Sequence, residues 1–251
     1  MVPSTALIPI RDDNPTRTFP ALTVTLIAIN VVVWLAQVSQ ATGAAAAEAF
    51  FYRWGVVPIE LTTDAVMAGP ACGGPCKAGP PSYAILTAMF VHAGFIHLAG
   101  NMLFLWVFGN NIEDTLGKPA FVAFYLGCGV AATLAHVALD PASQLPTVGA
   151  SGAVAGLLGA YIVLFPHARV TTIIPIFIFL QFIRLPAVVV LGYWFVYQFF
   201  IGVMQSRSTG GGVAWVAHVG GFVTGAVLMY LYRQIRNLQP PPPPPPQLPG
   251  W

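Results

Sequence analysis

The chain has 251 residues, 57% of them hydrophobic and only 7% charged, with a mean hydropathy of +0.75. A water-soluble domain carries about 25% charged residues, so composition excludes one and predicts a membrane protein with room for about six or seven helical spans. Ten Lys and Arg against eight Asp and Glu are too few and too scattered for a nucleic-acid surface, and three cysteines exclude a disulfide-dense scaffold.

Residues 1–18 are polar, hold Arg11, Asp12, Asp13 and Arg17, and carry no pattern of a cleavable secretory signal. Phe19 to Val38 is an apolar, charge-free first span. A Gly- and Pro-rich connection follows, forming a first loop at about 42–84, long enough to suggest a role of its own. The second span, Ile85 to Phe108, is interrupted by His92, His97 and Asn101 and leaves through Gly109 to Glu113. Ala120 to Leu139 is the third. The fourth, Gly149 to Phe165, is about 25 Å long at ~1.5 Å per residue. It falls short of the roughly 30 Å hydrocarbon core, so it is expected to begin inside the bilayer. Thr171 to Leu180, flanked by Arg169 and Arg184, reads as an interfacial or loosely structured approach to a fifth span, Ala187 to Met204. Val213 to Tyr232 is the sixth. In the tail, residues 234–251, the run Pro240 to Pro246 reads as a polyproline II spacer or partner ligand. The predicted fold class is all-α, a polytopic bundle of six transmembrane helices over residues 19–233.

Six spans place both termini on one side. Arg11, Arg17, Lys118, Arg169, Arg184, Arg233 and Arg236 then share that side, against Arg53, Lys77 and Arg207 opposite, which predicts cytoplasmic termini and an outward first loop.

Polar groups inside spans are costly and point to function. His97 and Asn101, at i and i+4, share one helix face; they serve equally as oxyanion donors or as interhelical polar glue. Ser151 opens the short fourth span within Gly149-Ala150-Ser151-Gly152, where unpaired N–H groups and the positive helix end favour negative charge. The small row Gly152, Gly156, Ala160 also fits simple helix packing. In the sixth span His218 lies in a stripe with Ala214, Gly221 and Gly225, so a close glycine-rich neighbour would bring Ser151 within reach of the imidazole. His136 and Cys128 read as structural. No carboxylate lies in any span, which leaves a Ser–His pair without a buried acid and speaks against a proton-coupled transporter. There is no H-E-x-x-H or paired intramembrane aspartate, and no metal or cofactor is expected.

These motifs together resemble the rhomboid intramembrane serine proteases. His92 to Asn101 is similar to the family's H-x-x-x-N segment, Gly149-Ala150-Ser151-Gly152 to its nucleophile motif, and His218-Val219-Gly220-Gly221 through Gly225 to its base helix. The resemblance implies Ser151 as nucleophile and His218 as general base. It implies an oxyanion hole of His97, Asn101 and the Ser151 N–H, with His92, Gly149, Gly152 and Gly221 in support. It further implies cleavage of single-span membrane substrates near the outer bilayer face, in a bacterial plasma membrane, without cofactor. Two departures stand out. The family's common Trp-Arg pair would fall at Tyr83-Ala84, while Arg53-Trp54 is reversed and earlier. Ala155 replaces the aromatic residue that some members carry four after the serine, so either another group holds His218 or the ring is held more loosely. Cys72 and Cys76 read equally as a small disulfide or two free thiols. The rival readings are a rhomboid-like pseudoprotease that guides membrane clients without cutting them, and a solute transporter with His218 and His136 as relay groups.

Overall fold

The structure, a computed structural model, describes residues 7–63, 65–69, 72, 74–77, 80–176, 179–206 and 214–238. The proline run and Arg207 lie outside these residues.

Strand β1 (Ile8–Asp12) precedes helix α1 (Ala21–Gln40). The first loop folds into α2 (Ala44–Trp54), α3 (Pro58–Thr62) and the two-residue strands β2 (Ala68–Gly69) and β3 (Gly74–Pro75). A one-turn helix α4 (Ala84–Thr87), flanked by 3₁₀ turns, leads to α5 (Phe95–Leu116) and α6 (Lys118–Leu139). Then come α7 (Ser151–Leu164), β4 (Arg169–Ile176), β5 (Phe179–Pro186), α8 (Ala187–Ser206) and α9 (Ala214–Ile235).

Three described helices, α1, α6 and the Trp215–Ile235 part of α9, are long and apolar enough to cross a membrane. Pro81–Phe90 and Phe95–Leu116, bent by 78° across the break at residues 91–94, make a fourth candidate as a pair. Helix α7 is shorter. Its 14 residues rise only about 21 Å, and eleven of them are buried. A helix apolar on every side belongs at a centre, and α7 packs against α5, α6, α8 and α9.

Helix ends are secured by groups distant in sequence. Every helix leaves its first N–H groups without intrahelical partners. For α1 the partner is Glu113 of α5, whose carboxylate accepts from Leu22 N (3.0 Å), Thr23 N (2.7 Å) and Thr23 Oγ1 (2.8 Å). At the same end of α5, Asp114 accepts from Thr18 Oγ1 and from the Arg17 and Thr18 N–H groups. The α5–α6 corner turns at Gly117, with φ +76°.

The structure adds a small sheet to the expected all-α bundle. The stretch Thr171 to Leu180, read from sequence as an interfacial or loosely structured approach, contributes to strands β4 and β5, which pair antiparallel, and β1 pairs with β4 through Ile8↔Ile173 and Asp12↔Val170. The alternation is hard to see because the distal half of the hairpin, Gln181 apart, is apolar on both faces. Strand β5 is exposed from Phe179 to Arg184. The N-terminal segment is therefore strapped to the bundle, with Asn111 Nδ2 and Tyr161 Oη donating to Asp12 Oδ2 at 2.7 and 2.5 Å.

The first loop is ordered by polar contacts. A disulfide joins Cys72 and Cys76. Buried Lys77 pairs with Glu60 and donates to Tyr52 O. Tyr83 Oη donates to Arg53 O at 2.8 Å and its ring meets Trp54 edge-on at 6.0 Å, so the reversed Arg53-Trp54 pair comes to rest beside Tyr83.

Candidate active site

Ser151 is the first residue of α7, preceded by Ala150. The first helical bond runs from Val154 N to Ala150 O, so the N–H groups of Ser151, Gly152 and Ala153 have no intrahelical acceptor. Gly149 sets the approach: its φ of +128° lies in the left-handed region that favours glycine. Its N–H donates to Ala88 O at 2.8 Å, tying the turn to the 3₁₀ segment before α5. A Cβ on Gly149 would stand 2.7 Å from His97 Cε1 and 3.6 Å from Ser151 Oγ, so the His97 ring and the serine hydroxyl flank the same bare glycine.

Helix α9 reaches Ser151 because nothing stands between it and α7. A Cβ added to Gly221 would fall on the Gly152 carbonyl oxygen, and one on Gly225 would fall on the Gly156 backbone. With the backbones in contact, His218 Nε2 comes to 2.7 Å from Ser151 Oγ. The far side of the imidazole is also held. His218 Nδ1 lies 3.0 Å from Gln198 Oε1, and the Trp194 ring, one helical turn earlier on α8, is 6.0 Å from the His218 ring. These two residues hold His218 where Ala155 offers it no ring. Gln198 escaped the sequence reading because it sits in an otherwise apolar span, although an amide in such a run is itself a signal.

A cavity of about 110 Å³ opens beside the pair, lined among others by His97, Gly149, Ser151, Gly152 and His218. Its rim is fixed from the first loop, where Val56 and Thr147 exchange backbone hydrogen bonds. His136 Nε2 lies 2.7 Å from Thr147 Oγ1, beside the same pair of bonds. Asn101 is placed differently from His97: its Nδ2 donates to His97 O at 3.0 Å within its own helix, and it is not among the cavity's lining residues. His92 is fully buried, its ring 5.2 Å from that of His97 and its backbone bonded to the Gln37 side chain in both directions.

A mostly helical membrane bundle with a serine and a histidine in contact at the start of a short central helix defines a class, the intramembrane Ser–His proteins. The Rhomboid domain family model matches residues 81–235, and the chain belongs to the rhomboid family. It is 38% identical over 90 residues to "Rhomboid protein 1, mitochondrial" of Saccharomyces cerevisiae, covering 34% of this chain and 26% of that one. It is 33% identical over 143 residues to "Presenilin-associated rhomboid-like protein, mitochondrial" of Bos taurus, covering 55% and 36%. It is 40% identical over 76 residues to "Rhomboid protease GluP" of Bacillus subtilis, covering 30% and 14%. The matched region thus spans about a third or less of the length of these relatives. The expectation of a bacterial plasma membrane with cytoplasmic termini is overturned here. The yeast and bovine relatives are mitochondrial by name, not proteins of a bacterial plasma membrane.

Proposed function

We propose that the chain is an intramembrane serine endopeptidase that cuts single-span membrane proteins. The observation that carries the reading is the 2.7 Å contact between Ser151 Oγ and His218 Nε2 beside an open cavity. His218 Nε2 takes the hydroxyl proton as Ser151 Oγ bonds to the substrate's carbonyl carbon. The oxyanion meets the unpaired N–H groups at the α7 start, with His97, which lines the cavity, as side-chain donor; Asn101 sits behind it, its Nδ2 donating to His97 O. His218 then gives its proton to the leaving amine, leaving an acyl-enzyme. Water, deprotonated by the same imidazole, releases the new carboxyl end and restores the serine.

In this reading the short helix α7 and helix α8 complete a six-span unit over residues 19–233, flanked by the segments 1–18 and 234–251. The proline-rich tail would serve a partner or act as a spacer. Because α7 is too short to span the bilayer, water reaches Ser151 from the side opposite the termini, and cleavage falls near that face of the membrane. An unwound stretch in the substrate helps, since a hydrogen-bonded helix shields its carbonyls.

The test is cleavage of a labelled single-span substrate by the purified chain beside Ser151→Ala and His218→Ala. Wild-type cleavage with both variants silent at equal folding supports the reading. Binding of helix-destabilised substrates without cleavage replaces it with a client-guiding pseudoprotease. Cleavage that survives Ser151→Ala would falsify the serine mechanism.

A further inference from the structure

We infer that Gln198 is a positioning residue for the histidine base, fixing the tautomer and ring plane of His218 through Nδ1; this rests on the Ser151–His218 reading above. The three side chains form a line across three helices. Ser151 Oγ of α7 meets His218 Nε2 of α9 at 2.7 Å, and His218 Nδ1 meets Gln198 Oε1 of α8 at 3.0 Å. A carboxamide oxygen only accepts. The ring proton is therefore held on Nδ1, and Nε2 keeps the lone pair that faces the serine. Without that acceptor a neutral imidazole divides between two tautomers, and the one protonated at Nε2 cannot take the serine proton.

The helices that meet here, α7, α8 and α9, contain no Asp or Glu. The orienting task that a buried carboxylate performs in Ser–His–Asp sites falls to a neutral amide, which aims the ring without adding charge. Trp194 and Gln198 are four residues apart and share one face of α8, so the same helix supplies a ring beside the imidazole and the acceptor that aligns it. A structural alternative is interhelical glue, in which the amide only joins α8 to α9.

Three variants of the full chain in detergent separate these roles: Gln198→Met, which keeps length and loses the acceptor; Gln198→Glu, which keeps an acceptor oxygen; and Ser151→Ala. For Gln198→Met the expected result is a kcat lower by about 10–100-fold, part of the 10²–10⁴ that general-base catalysis supplies. KM should stay within about twofold and the thermal midpoint should be unchanged, and Gln198→Glu should recover most of the lost kcat. The ¹⁵N spectrum of histidine-labelled protein should report a single Nδ1–H tautomer of His218 in wild type and in Gln198→Glu, and a mixture in Gln198→Met. Unchanged kcat with an unchanged tautomer in Gln198→Met overturns the inference. So does a loss of kcat that Gln198→Glu shares and that follows a fall in thermal midpoint, which is the signature of glue. If wild type cuts nothing, or Ser151→Ala cuts as well, the protease reading fails, and the ¹⁵N tautomer still decides for or against Gln198.

Discussion

Asp12 shows how far one side chain can depart from its sequence context. Burial raises its carboxyl from the ordinary 3.8 to about 6, with the Tyr161 hydrogen bond pulling partly the other way. The folded chain therefore holds this proton more tightly than the unfolded chain. The resulting stabilisation is full below about pH 3.8, is lost as pH rises through about 6, and is flat above. At ~1.4 kcal/mol per unit, reduced by solvent at the partly exposed site, docking of the N-terminal strand should weaken by about 1–3 kcal/mol across that window. Amide exchange at Ile8 to Asp12 should thus be slower at pH 4.5 than at pH 7.5, relative to the intrinsic rates, and Asp12→Asn should abolish the difference. A pH-independent protection factor in wild type would remove Asp12 from this role. The sequence presented Asp12 as part of a polar start, because its burial depends on Tyr161, 149 residues later. Ser151 and His218 were legible for the opposite reason: each sits in a local glycine motif that marks it out without knowledge of the fold. Gln198 has no motif, and only the arrangement of α8 against α9 gives it a partner.

Among the elements, the long helices were plain in the sequence, since an unbroken apolar run of about 20 residues has few alternatives. The strands were not. Strand β1 is an edge piece of five residues whose partner is more than 150 positions away, and the hairpin it joins has its polar residues mainly near its base, Arg169, Thr171 and Arg184 among them. The cap on α1 was equally hidden. In the sequence Glu113 marks only the exit of the second span, yet its carboxylate gathers three donors from Leu22 and Thr23 while almost fully buried. Hydrogen bonds to a charged acceptor contribute about 1.5–3 kcal/mol each, and losses in one network do not simply add. Glu113→Ala should cost about 2–4 kcal/mol and lower the thermal midpoint in detergent, and Glu113→Gln should recover part of the loss. Equal midpoints for wild type and Glu113→Ala would show that water or lipid headgroups cap α1 just as well.

At the scale of the whole molecule, the site depends on three separate supports: the first loop through Val56 and Thr147, helix α8 through Gln198, and the bare contact between α7 and α9. The close packing of α7 against α6 and α9 has a consequence for heredity. A Cβ on Gly152 would stand 2.6 Å from the Cβ of Ala132, an atom that a second mutation can delete. A Cβ on Gly225 would collide with the carbonyl oxygen and Cα of Gly156, atoms that every amino acid carries. Gly152→Ala and Gly225→Ala should both impair folding or cleavage, by about 1–3 kcal/mol or more of overpacking. They should differ in their genetics, because Ala132→Gly restores the Gly152→Ala chain while no replacement at position 156 restores Gly225→Ala. A search for revertants would find intragenic suppressors for the first lesion at its contact partner and only true reversions for the second. Gly152 of α7 and Ala132 of α6 can thus drift together over generations, whereas Gly225 of α9 is held as glycine by a neighbour on α7 that cannot change.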